Sequence, residues 1–558
     1  MTNNKDINVC DFLDRQADKT PYAPAVIYPE RKDRKGRTAY TRLSYEQLVI
    51  DSKRMASGLK KIGIKKGTRC VLMVPPSLDF MGLAFGLIRL GAVPILVDPG
   101  MGLRSLKNCL HTAKPNAFIG TTKAHLARCI LGWAKQSNEI NITVGMKLFW
   151  GGHTYENIYK KGSLDDSFSS TTSDDTAAIA FTSGSTGIPK GVLYQHKQFA
   201  GQIQLLKSAF DIQEGEIDLS TFPLFTLFNP AMGVCSVIPD MDPTRPGKVN
   251  PKNIVDPIRD LGITHMFGSP ALLKRVGEYV SKQNIKLPSL KRILSAGAPV
   301  PASTLKLFHS SLNPKAEIFT PYGATEALPV SCIGSREILT DTCERSAQGK
   351  GTCIGRPIPG NDLRIIPISD ETIHQWTWDL ELPPGEIGEI VVRGPSVTKE
   401  YFNNPGATKL AKIPIPGSND VWHRMGDLGY FDEKGRVWFC GRMSQRVRLS
   451  TETLFTVPCE AVFNTHPQVL RTALVEVHKD RSSSAALCVE LRSPAKGEAR
   501  KKILEELNSI SQKHPHTQSI QHILFHRSFP VDIRHNSKIF REKLAIWAQK
   551  EIESGAGV

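Results

Sequence analysis

A segment rich in glycine and hydroxyl side chains, residues 182–191, has the composition of a phosphate-binding loop. It holds three glycines, four serines or threonines and, near its end, Lys190, and it directly follows the apolar run 177–181. Backbone N–H and hydroxyl groups can surround phosphate oxygens where glycine places no Cβ in the way. A flexible linker rarely abuts a buried strand, and Pro-Lys-Gly does not fit a Walker A loop. The predicted phosphate contacts are Thr182, Ser183, Gly184, Ser185, Thr186, Gly187 and Lys190.

A second motif, residues 322–326, places an aromatic ring, a glycine, a hydroxyl and a carboxylate within five positions. The ring of Tyr322 can stack on adenine. The carboxylate of Glu326 suits Mg²⁺, since that ion takes few protein oxygens and keeps several of its waters. The same residue types would also fit an ordinary strand and turn. Gly323 and Thr325 complete the predicted nucleotide contacts of this motif.

Together the two motifs resemble those of the acyl-adenylate-forming superfamily, which includes acyl-CoA synthetases, luciferases and the adenylation domains of peptide synthetases. The resemblance covers nearly the whole chain and implies ATP and Mg²⁺ as cofactors. It implies that Asp427 and Arg442 bind the ribose, and that Lys538, in the terminal Lys-Ile-x-Arg motif, meets the carboxylate and the α-phosphate. The adenine side is assigned to Gly297, Ala298 and Pro299, catalysis to Lys538, Glu326, Thr182 and Arg442, and the metal to Glu326.

Several positions depart from the superfamily pattern. Ser444 and Gln445 stand where an acidic hinge residue usually follows the Gly-Arg pair, and Thr226 stands where the usual Pro-x-x-His motif has histidine. Residues 447–460 lack the glycine of the thioester-forming segment, and a β-branched residue cannot replace glycine where a pantetheine arm needs space. The run 530–537 is longer than usual and has no Thr-x-x-Gly element.

Three of these segments, residues 530–537, 456–460 and 227–231, resemble those of the β-lactone synthetases of bacterial olefin biosynthesis. The resemblance implies that ATP activates a 2-alkyl-3-hydroxy fatty acid to acyl-AMP, and that the 3-hydroxyl then displaces AMP to close a β-lactone. An internal nucleophile has a high effective concentration, which offsets part of the ring strain. The alternative is a long-chain fatty acyl-CoA synthetase or fatty acyl-AMP ligase. A third possibility is a protein that binds acyl nucleotides without catalysis.

The acyl pocket is predicted in residues 225–233, because aromatic and methionine side chains suit alkyl chains. The same side chains would also serve as core residues beneath a sheet, and both interpretations stay open. The predicted substrate contacts are Phe225, Phe228 and Met232.

Strands and helices must position these motifs. Apolar strands alternate with helices up to about residue 350, which predicts layered α/β subdomains. Ser44, followed three residues later by Gln47, predicts a capped helix start. Short strands with Gly and Pro turns then predict a β-rich subdomain. The predicted boundary separates residues 1–443, an adenylation domain for ATP and acyl binding, from residues 444–558, a small mobile α+β lid.

Composition limits the partners. The 558-residue chain carries a net charge of +17, yet no nucleic-acid-binding motif accompanies it. It contains no apolar run of membrane-spanning length and no leader-like start, and its eleven cysteines lack metal-type spacing. We therefore expect a cytoplasmic protein whose substrate is a hydrophobic hydroxy acid or fatty acid. Residues 123–133 form a basic amphipathic stretch, so a peripheral membrane contact stays open as an alternative to core packing. Assembly with other hydrocarbon-pathway enzymes also stays open.

Overall fold

The computed structural model describes residues 8–164, 168, 170–181, 189–479, 482–531 and 539–554. Strands and helices alternate through most of this chain and then give way to a strand-rich region, which confirms the predicted α/β class with a β-rich subdomain. The strands are β1 Pro24–Lys32, β2 Thr38–Ser44, β3 Arg69–Met73, β4 Val93–Leu96, β5 Ala117–Thr121, β6 Ile140–Val144, β7 His153–Thr154, β8 Thr176–Phe181, β9 Gly191–Gln195, β10 Ile217–Leu219, β11 Cys235–Val237, β12 His265–Phe267, β13 Arg292–Leu294, β14 Glu317–Ala324, β15 Ala327–Gly334, β16 Thr352–Pro357, β17 Asp362–Ile366, β18 Gly388–Arg393, β19 Lys412–Pro414, β20 Val421–Phe431, β21 Val437–Arg442, β22 Val447–Arg448, β23 Thr453–Leu454, β24 Val469–Lys479, β25 Ser482–Leu491 and β26 Ile520–Phe525.

The helices cover the faces of the sheets, as expected where apolar strands are buried on both sides. They are α1 Cys10–Lys19, α2 Tyr45–Lys61, α3 Leu78–Arg89, α4 Leu103–Ala113, α5 Thr122–Leu131, α6 Tyr155–Lys161, α7 His196–Ala209, α8 Pro223–Ala231, α9 Lys252–Leu261, α10 Pro270–Lys282, α11 Ala302–Phe308, α12 Ser335–Glu337, α13 Cys343–Ala347, α14 Pro405–Ala411, α15 Thr456–Phe463, α16 Gly497–Lys513 and α17 Arg541–Glu553.

Two large sheets build the N-terminal part. A seven-stranded sheet has the order β7-β6-β5-β3-β4-β8-β9, and its neighbouring strands are parallel except for the β8–β9 pair. A longer sheet runs β17-β18-β20-β21-β16-β15-β14-β13-β12-β10-β11-β1-β2, with β19 paired to β20. Its parallel middle holds β10 to β14, and the antiparallel strands from β15 onward form the strand-rich region. The motifs predicted for phosphate and for adenine therefore follow the ends of β8 and β13, and strand ends are where α/β sheets bind ligands.

Local sequence signals set individual element ends. Ser44 Oγ accepts a hydrogen bond from the Gln47 backbone N–H, and the Gln47 side chain accepts one from the Ser44 backbone N–H. This reciprocal capping box confirms the predicted start of α2, and such a cap contributes about 1 kcal/mol.

The C-terminal part has its own apolar packing. One core cluster combines β22 to β25 with α15 and α16, and it begins at Val447. A second cluster packs α17 against the other face of β24 to β26. Both clusters contain only residues beyond 446, a placement consistent with the predicted boundary, which itself stays a prediction.

Candidate active site

The site described below lacks two of the sequence-predicted elements. Residues 182–188 of the phosphate loop and Lys538 lie outside the described residues, so their contacts stay predictions. The structure does describe the two strands that flank the phosphate loop, β8 and β9. Phe181 ends β8 and pairs with Gly191 at the start of β9, so the loop connects two antiparallel neighbours.

Asp427 and Arg442 are the two residues predicted to bind the ribose. They lie directly opposite each other on the paired strands β20 and β21, with Arg442 Nη1 2.8 Å from Asp427 Oδ1. Tyr322, at the end of β14, donates its hydroxyl to Asp427 Oδ2 at 2.5 Å. The three residues that sequence motifs assigned to the nucleotide thus meet at one point.

The electrostatics of this group favour a fixed geometry. Burial raises the pKa of Asp427, and the Arg442 charge opposes that shift. The charge of Asp427 in turn raises the pKa of Arg442, and burial beside Asp427 raises that of the Tyr322 hydroxyl. Asp427 is 2% exposed, whereas the Arg442 side chain is 40% exposed. The carboxylate is therefore held in place, and the guanidinium can donate further hydrogen bonds to a ligand.

Glu326 lies at the tip of the β14–β15 hairpin. Its backbone carbonyl accepts hydrogen bonds from the Thr398 N–H at 2.9 Å and the Thr398 hydroxyl at 3.1 Å. The Tyr401 hydroxyl donates to Glu326 Oε1 at 2.7 Å. Among the described residues, Oε2 has no hydrogen-bond donor. This oxygen is free for a hard cation, in keeping with the metal role predicted for Glu326.

Tyr401 also connects Glu326 to the phosphate loop. Its backbone pairs with Val192 of β9, and its neighbour Phe402 donates its N–H to the carbonyl of Gly191 at 2.7 Å. The ring faces Lys190, whose Nζ lies 5.1 Å from the ring centroid. One buried aromatic side chain therefore separates the carboxylate predicted for metal from the cation predicted for phosphate.

A buried lysine lies behind this group. Lys412 Nζ donates to the carbonyl of Thr398, and burial lowers the pKa of the ammonium to about 7, although the Glu326 charge opposes the shift. Burial and the Lys412 charge together hold the pKa of His423 well below its usual value. Sequence reasoning missed Tyr401, Thr398 and Lys412. The only signal was an ordinary Lys-Glu-Tyr-Phe run far from Glu326 in sequence.

The residues predicted for the adenine side, 297–299, follow strand β13. Gly297 has φ +93° and lies just after β13, beside β14 in the parallel part of the sheet. The N–H of Ser295 donates to the carbonyl of Phe319 at 2.9 Å, which fixes the segment 295–299 to β14. Gly323 has a packing reason to be glycine, since a Cβ there would lie 2.6 Å from the Ala327 carbonyl oxygen.

The predicted acyl segment 225–233 is mostly helical. Phe228 on α8 contacts Phe199 edge to face, with centroids 5.3 Å apart, and Phe199 stacks on Tyr194 at 4.9 Å. The Tyr194 hydroxyl donates to the carbonyl of Thr325, next to Glu326. An aromatic row thus connects α8 to the hairpin tip. Met232 is 3% exposed and packs in a core cluster, and the Phe225 side chain lies outside the described residues.

Helix α8 also rests on a buried polar group that sequence reasoning missed. Asn229 Nδ2 donates to Asp218 Oδ2 at 2.6 Å and to Ser220 Oγ at 2.9 Å. Ser220 donates to the same Asp218 oxygen at 2.7 Å. Buried amide and carboxylate groups paired in this way specify one orientation of the helix, since unpaired ones would be costly.

The C-terminal part is tied together by Arg541 and packs against the end of β21. Arg541, three residues beyond Lys538, makes a two-pronged ion pair with Glu460 at 2.6 and 2.9 Å and donates to Gln445 Oε1 at 3.2 Å. At Gly441, which has φ +131°, a Cβ would lie 2.4 Å from the Thr456 hydroxyl oxygen. The divergent segment 447–460 is therefore packed directly against the end of β21.

Two further properties of the described residues bear on function. They contain no group of three or more His, Cys, Asp or Glu side chains arranged to hold a metal ion. A metal here would depend on one carboxylate, water and phosphate oxygens, which is a common arrangement for Mg²⁺. No helix among the described residues has the length and apolar character needed to cross a bilayer.

Comparisons with known proteins agree with this architecture. A family model described as AMP-binding enzyme matches residues 13–402. The olefin beta-lactone synthetase of Xanthomonas campestris pv. campestris is 46% identical over 549 residues, which cover 98% of each chain. That of Stenotrophomonas maltophilia is 46% identical over 560 residues, which cover 99% of this chain and 100% of the relative.

A solved structure extends the comparison to the fold. The ATP-bound structure of MatB from Rhodopseudomonas palustris aligns with a TM-score of 0.76 at 20% identity, covering 97% of this chain and 99% of that one. At this identity the match shows a shared fold. The family model and the two full-length relatives show more: the chain belongs to the AMP-binding enzyme family, in the group that includes the olefin beta-lactone synthetases.

Proposed function

We propose that the protein uses ATP to convert a 2-alkyl-3-hydroxy fatty acid to its β-lactone. The observation that carries the proposal is the full-length relationship, at 46% identity, to two olefin beta-lactone synthetases. The described site supports it, because residues suited to a nucleotide and to a metal-bound phosphate converge on it. These are Lys190, Tyr322, Glu326, Asp427 and Arg442.

The first step is adenylation. A carboxylate oxygen of the acid attacks the α-phosphorus of ATP, the bond from that phosphorus to the bridging oxygen breaks, and diphosphate leaves. Asp427 accepts hydrogen bonds from the ribose hydroxyls and Arg442 donates to the ribose or α-phosphate. Lys538 and Thr182 are proposed to meet the charge that builds up on the α-phosphoryl oxygens, where a positioned donor is most effective.

Glu326 would hold Mg²⁺ through its free Oε2, with Tyr401 fixing the other oxygen. A bound Mg²⁺ would supply charge neutralisation for the phosphates of ATP. Lys190, on the far side of the Tyr401 ring, would contribute a second positive charge. The donor set fits a hard cation that keeps several of its waters.

The second step is ring closure. The 3-hydroxyl oxygen attacks the acyl carbonyl carbon and loses its proton. The bond between that carbon and the bridging phosphate oxygen breaks, and AMP leaves with this oxygen. The alkyl chains are proposed to lie along α8 near Phe228, whose aromatic row leads to Thr325 and Glu326. No external acceptor enters, so the glycine missing from residues 447–460 is not required.

We further infer that residues 444–558 act as a mobile lid over residues 1–443. The separate C-terminal core, which begins at Val447, supports this division. Arg541 supports it too, because both of its partners, Gln445 and Glu460, lie on the C-terminal side of the proposed boundary. Association with other hydrocarbon-pathway enzymes is also part of the proposal, and co-purification from a native extract tests it.

Mass spectrometry of the products tests the proposed reaction. With ATP, Mg²⁺ and a syn 2-alkyl-3-hydroxy acid, we expect β-lactone, AMP and diphosphate in multiple turnovers, with or without CoA. The matched acid without the hydroxyl should stop at tightly held acyl-AMP, since no nucleophile replaces the hydroxyl in a site that excludes water. Efficient acyl-CoA formation from simple fatty acids would instead assign the chain to the fatty acyl-CoA synthetases.

A further inference from the structure

A compact apolar surface lies at one edge of the seven-stranded sheet, outside the site described above. Residues 146–149, here called the apolar tip, follow β6. Met146 is 70%, Leu148 40% and Phe149 76% exposed. Single exposed apolar side chains are common on any protein, but three within four consecutive residues form a patch of the kind that marks an interaction surface.

The apolar tip is held rigidly by the structure beneath it. The Thr122 hydroxyl, in the first turn of α5, donates to the Met146 carbonyl at 2.7 Å. Trp150 Nε1 donates to the Thr143 hydroxyl at 3.0 Å, and the Trp150 ring stacks on His125 of α5 at 5.2 Å. The apolar side chains are therefore displayed on an ordered support, which lowers the entropy cost of binding.

The surroundings of the apolar tip are basic. Residues 99–155 contain seven lysines and arginines against a single acid, Glu139. Lys147 lies within the tip and Lys123 follows Thr122. Lys161 is also near, since burial and then the charges of Lys161 and Lys147 lower the pKa of His153.

The sheet topology places this surface on the edge of the sheet at which the predicted phosphate loop begins. Strands β3, β4, β5, β6 and β8 are parallel, so their carboxyl ends share one edge. That edge carries the apolar tip after β6, Lys123 at the start of α5, Arg104 at the start of α4 and the phosphate loop after β8. Four strand spacings separate β6 from β8, or roughly 19 Å.

We propose that this carboxyl edge, with the apolar tip and Arg104, Lys123 and Lys147, docks on an anionic phospholipid surface. Loop side chains such as Phe149 enter the boundary between headgroups and acyl chains, and the cations meet the negative headgroups. A protein partner fits less well, because a specific interface buries about 800 Å² per side and three side chains offer far less.

Vesicle sedimentation of the full-length protein tests the proposal. We compare vesicles of phosphatidylcholine alone with vesicles in which about one third of the lipid is phosphatidylglycerol. We expect binding to the anionic vesicles, weakened by salt because the cations contribute. The assay contains neither ATP nor hydroxy acid, so its failure would leave the proposed reaction untouched.

Variants locate the contact. The double variant Met146→Ser, Phe149→Ser should lower the partition coefficient about tenfold or more, because burial of one large apolar side chain is lost with each change. Lys123→Gln with Lys147→Gln should lower it several-fold, and only on anionic vesicles. Tyr22→Ser, which changes an exposed aromatic side chain elsewhere, is the matched control and should bind as the wild type does.

Three results would overturn the proposal. The wild type could remain in the supernatant with anionic vesicles. The apolar-tip variant, with an unchanged melting temperature, could bind as tightly as Tyr22→Ser. The same variant could instead convert an oligomer to a monomer while vesicle binding stays constant, which would assign the surface to contacts between copies of the chain.

Discussion

The region predicted for the ribose and the region predicted for the metal, here called the ribose side and the metal side, balance charge in opposite ways. Asp427 has a cation in direct contact, since Arg442 lies opposite it on the next strand. Among the residues that the structure describes, Glu326 has only the Tyr401 phenol on its carboxylate. Lys190 lies beyond the Tyr401 ring, and the second nearby lysine, Lys412, donates to a backbone carbonyl.

The difference indicates which charges the protein balances by itself. An acid paired inside a buried site is stable without a ligand, and the pair keeps a fixed geometry. An acid with a free oxygen and distant cations gains most when a metal ion arrives. We therefore expect changes on the ribose side to affect nucleotide binding, and changes on the metal side to affect the Mg²⁺ requirement.

Removal of the charge on Asp427 should have the largest effect. Asp427→Asn leaves Arg442 without its ion pair and weakens two charge-assisted hydrogen bonds to the ribose, so kcat/KM for ATP should fall about a hundredfold. Steady-state kinetics with varied ATP measure this loss.

Asp432→Asn is the matched control, since Asp432 is a buried acid paired with Arg436 at 2.8 Å on the same hairpin. That variant should be less stable but should keep the KM for ATP. Equal losses in kcat/KM from both variants would mean that Asp427 acts only through folding.

Glu326→Gln should have a smaller effect that depends on magnesium. A neutral amide is a poorer ligand for a hard cation, so we expect about a tenfold loss of adenylation at low Mg²⁺ and partial recovery at high Mg²⁺. Exchange of labelled diphosphate into ATP measures it. Glu317→Gln, at the other end of β14, should retain the wild-type Mg²⁺ dependence, and the metal assignment fails if Glu326→Gln retains it too.

Tyr401→Phe should have a milder effect of the same kind. It removes one hydrogen bond to Glu326 Oε1 but keeps the ring that faces Lys190, so about a fivefold weaker response to Mg²⁺ is expected, with kcat recovered at saturation. Tyr430→Phe, which removes a hydroxyl bonded to the Lys350 carbonyl, is the control. A purely structural role for Tyr401 would lower stability without moving the Mg²⁺ curve.

Lys412 should affect stability more than activity, and it should make the free energy of unfolding change with pH in a defined direction. Its pKa is about 7 in the folded protein and about 10.4 when exposed, so between these values the unfolded chain binds the extra proton. The free energy of unfolding should therefore rise by about 2 kcal/mol from pH 7 to pH 9 through this group. Lys412→Met should abolish that rise in denaturant titrations, and an unchanged slope would show that Lys412 is charged when buried.

The proximity of the residues predicted for the ribose could be expected from sequence because they lie in short motifs on neighbouring strands, whereas their role in ribose binding stays a prediction. Asp427 and Arg442 flank one hairpin, and Tyr322 belongs to a recognisable motif. The α/β class and the start of α2 could be predicted for the same reason, since periodicity and the Ser44–Gln47 pair are local signals.

The partners of Glu326 and the support of α8 could not be predicted in this way. Tyr401 reaches Glu326, and Asp218 reaches Asn229, only after distant segments pack together. A tyrosine or aspartate in an ordinary run carries no sign of its partner. The exposure of Phe149 beside Lys147 is likewise a property of packing, since an apolar loop residue is more often buried.

Oxygen labelling distinguishes acyl adenylation and closure through the hydroxyl from a reaction in which ATP activates the hydroxyl. The hydroxy acid is prepared with ¹⁸O in its carboxylate, and AMP and β-lactone are analysed by mass spectrometry after turnover with ATP. Acyl adenylation predicts one labelled oxygen in each AMP and one in the lactone carbonyl, with the ring oxygen derived from the unlabelled hydroxyl. AMP without label, together with a lactone that keeps both carboxylate oxygens, would mean that ATP activates the hydroxyl instead and would rule out the proposed reaction.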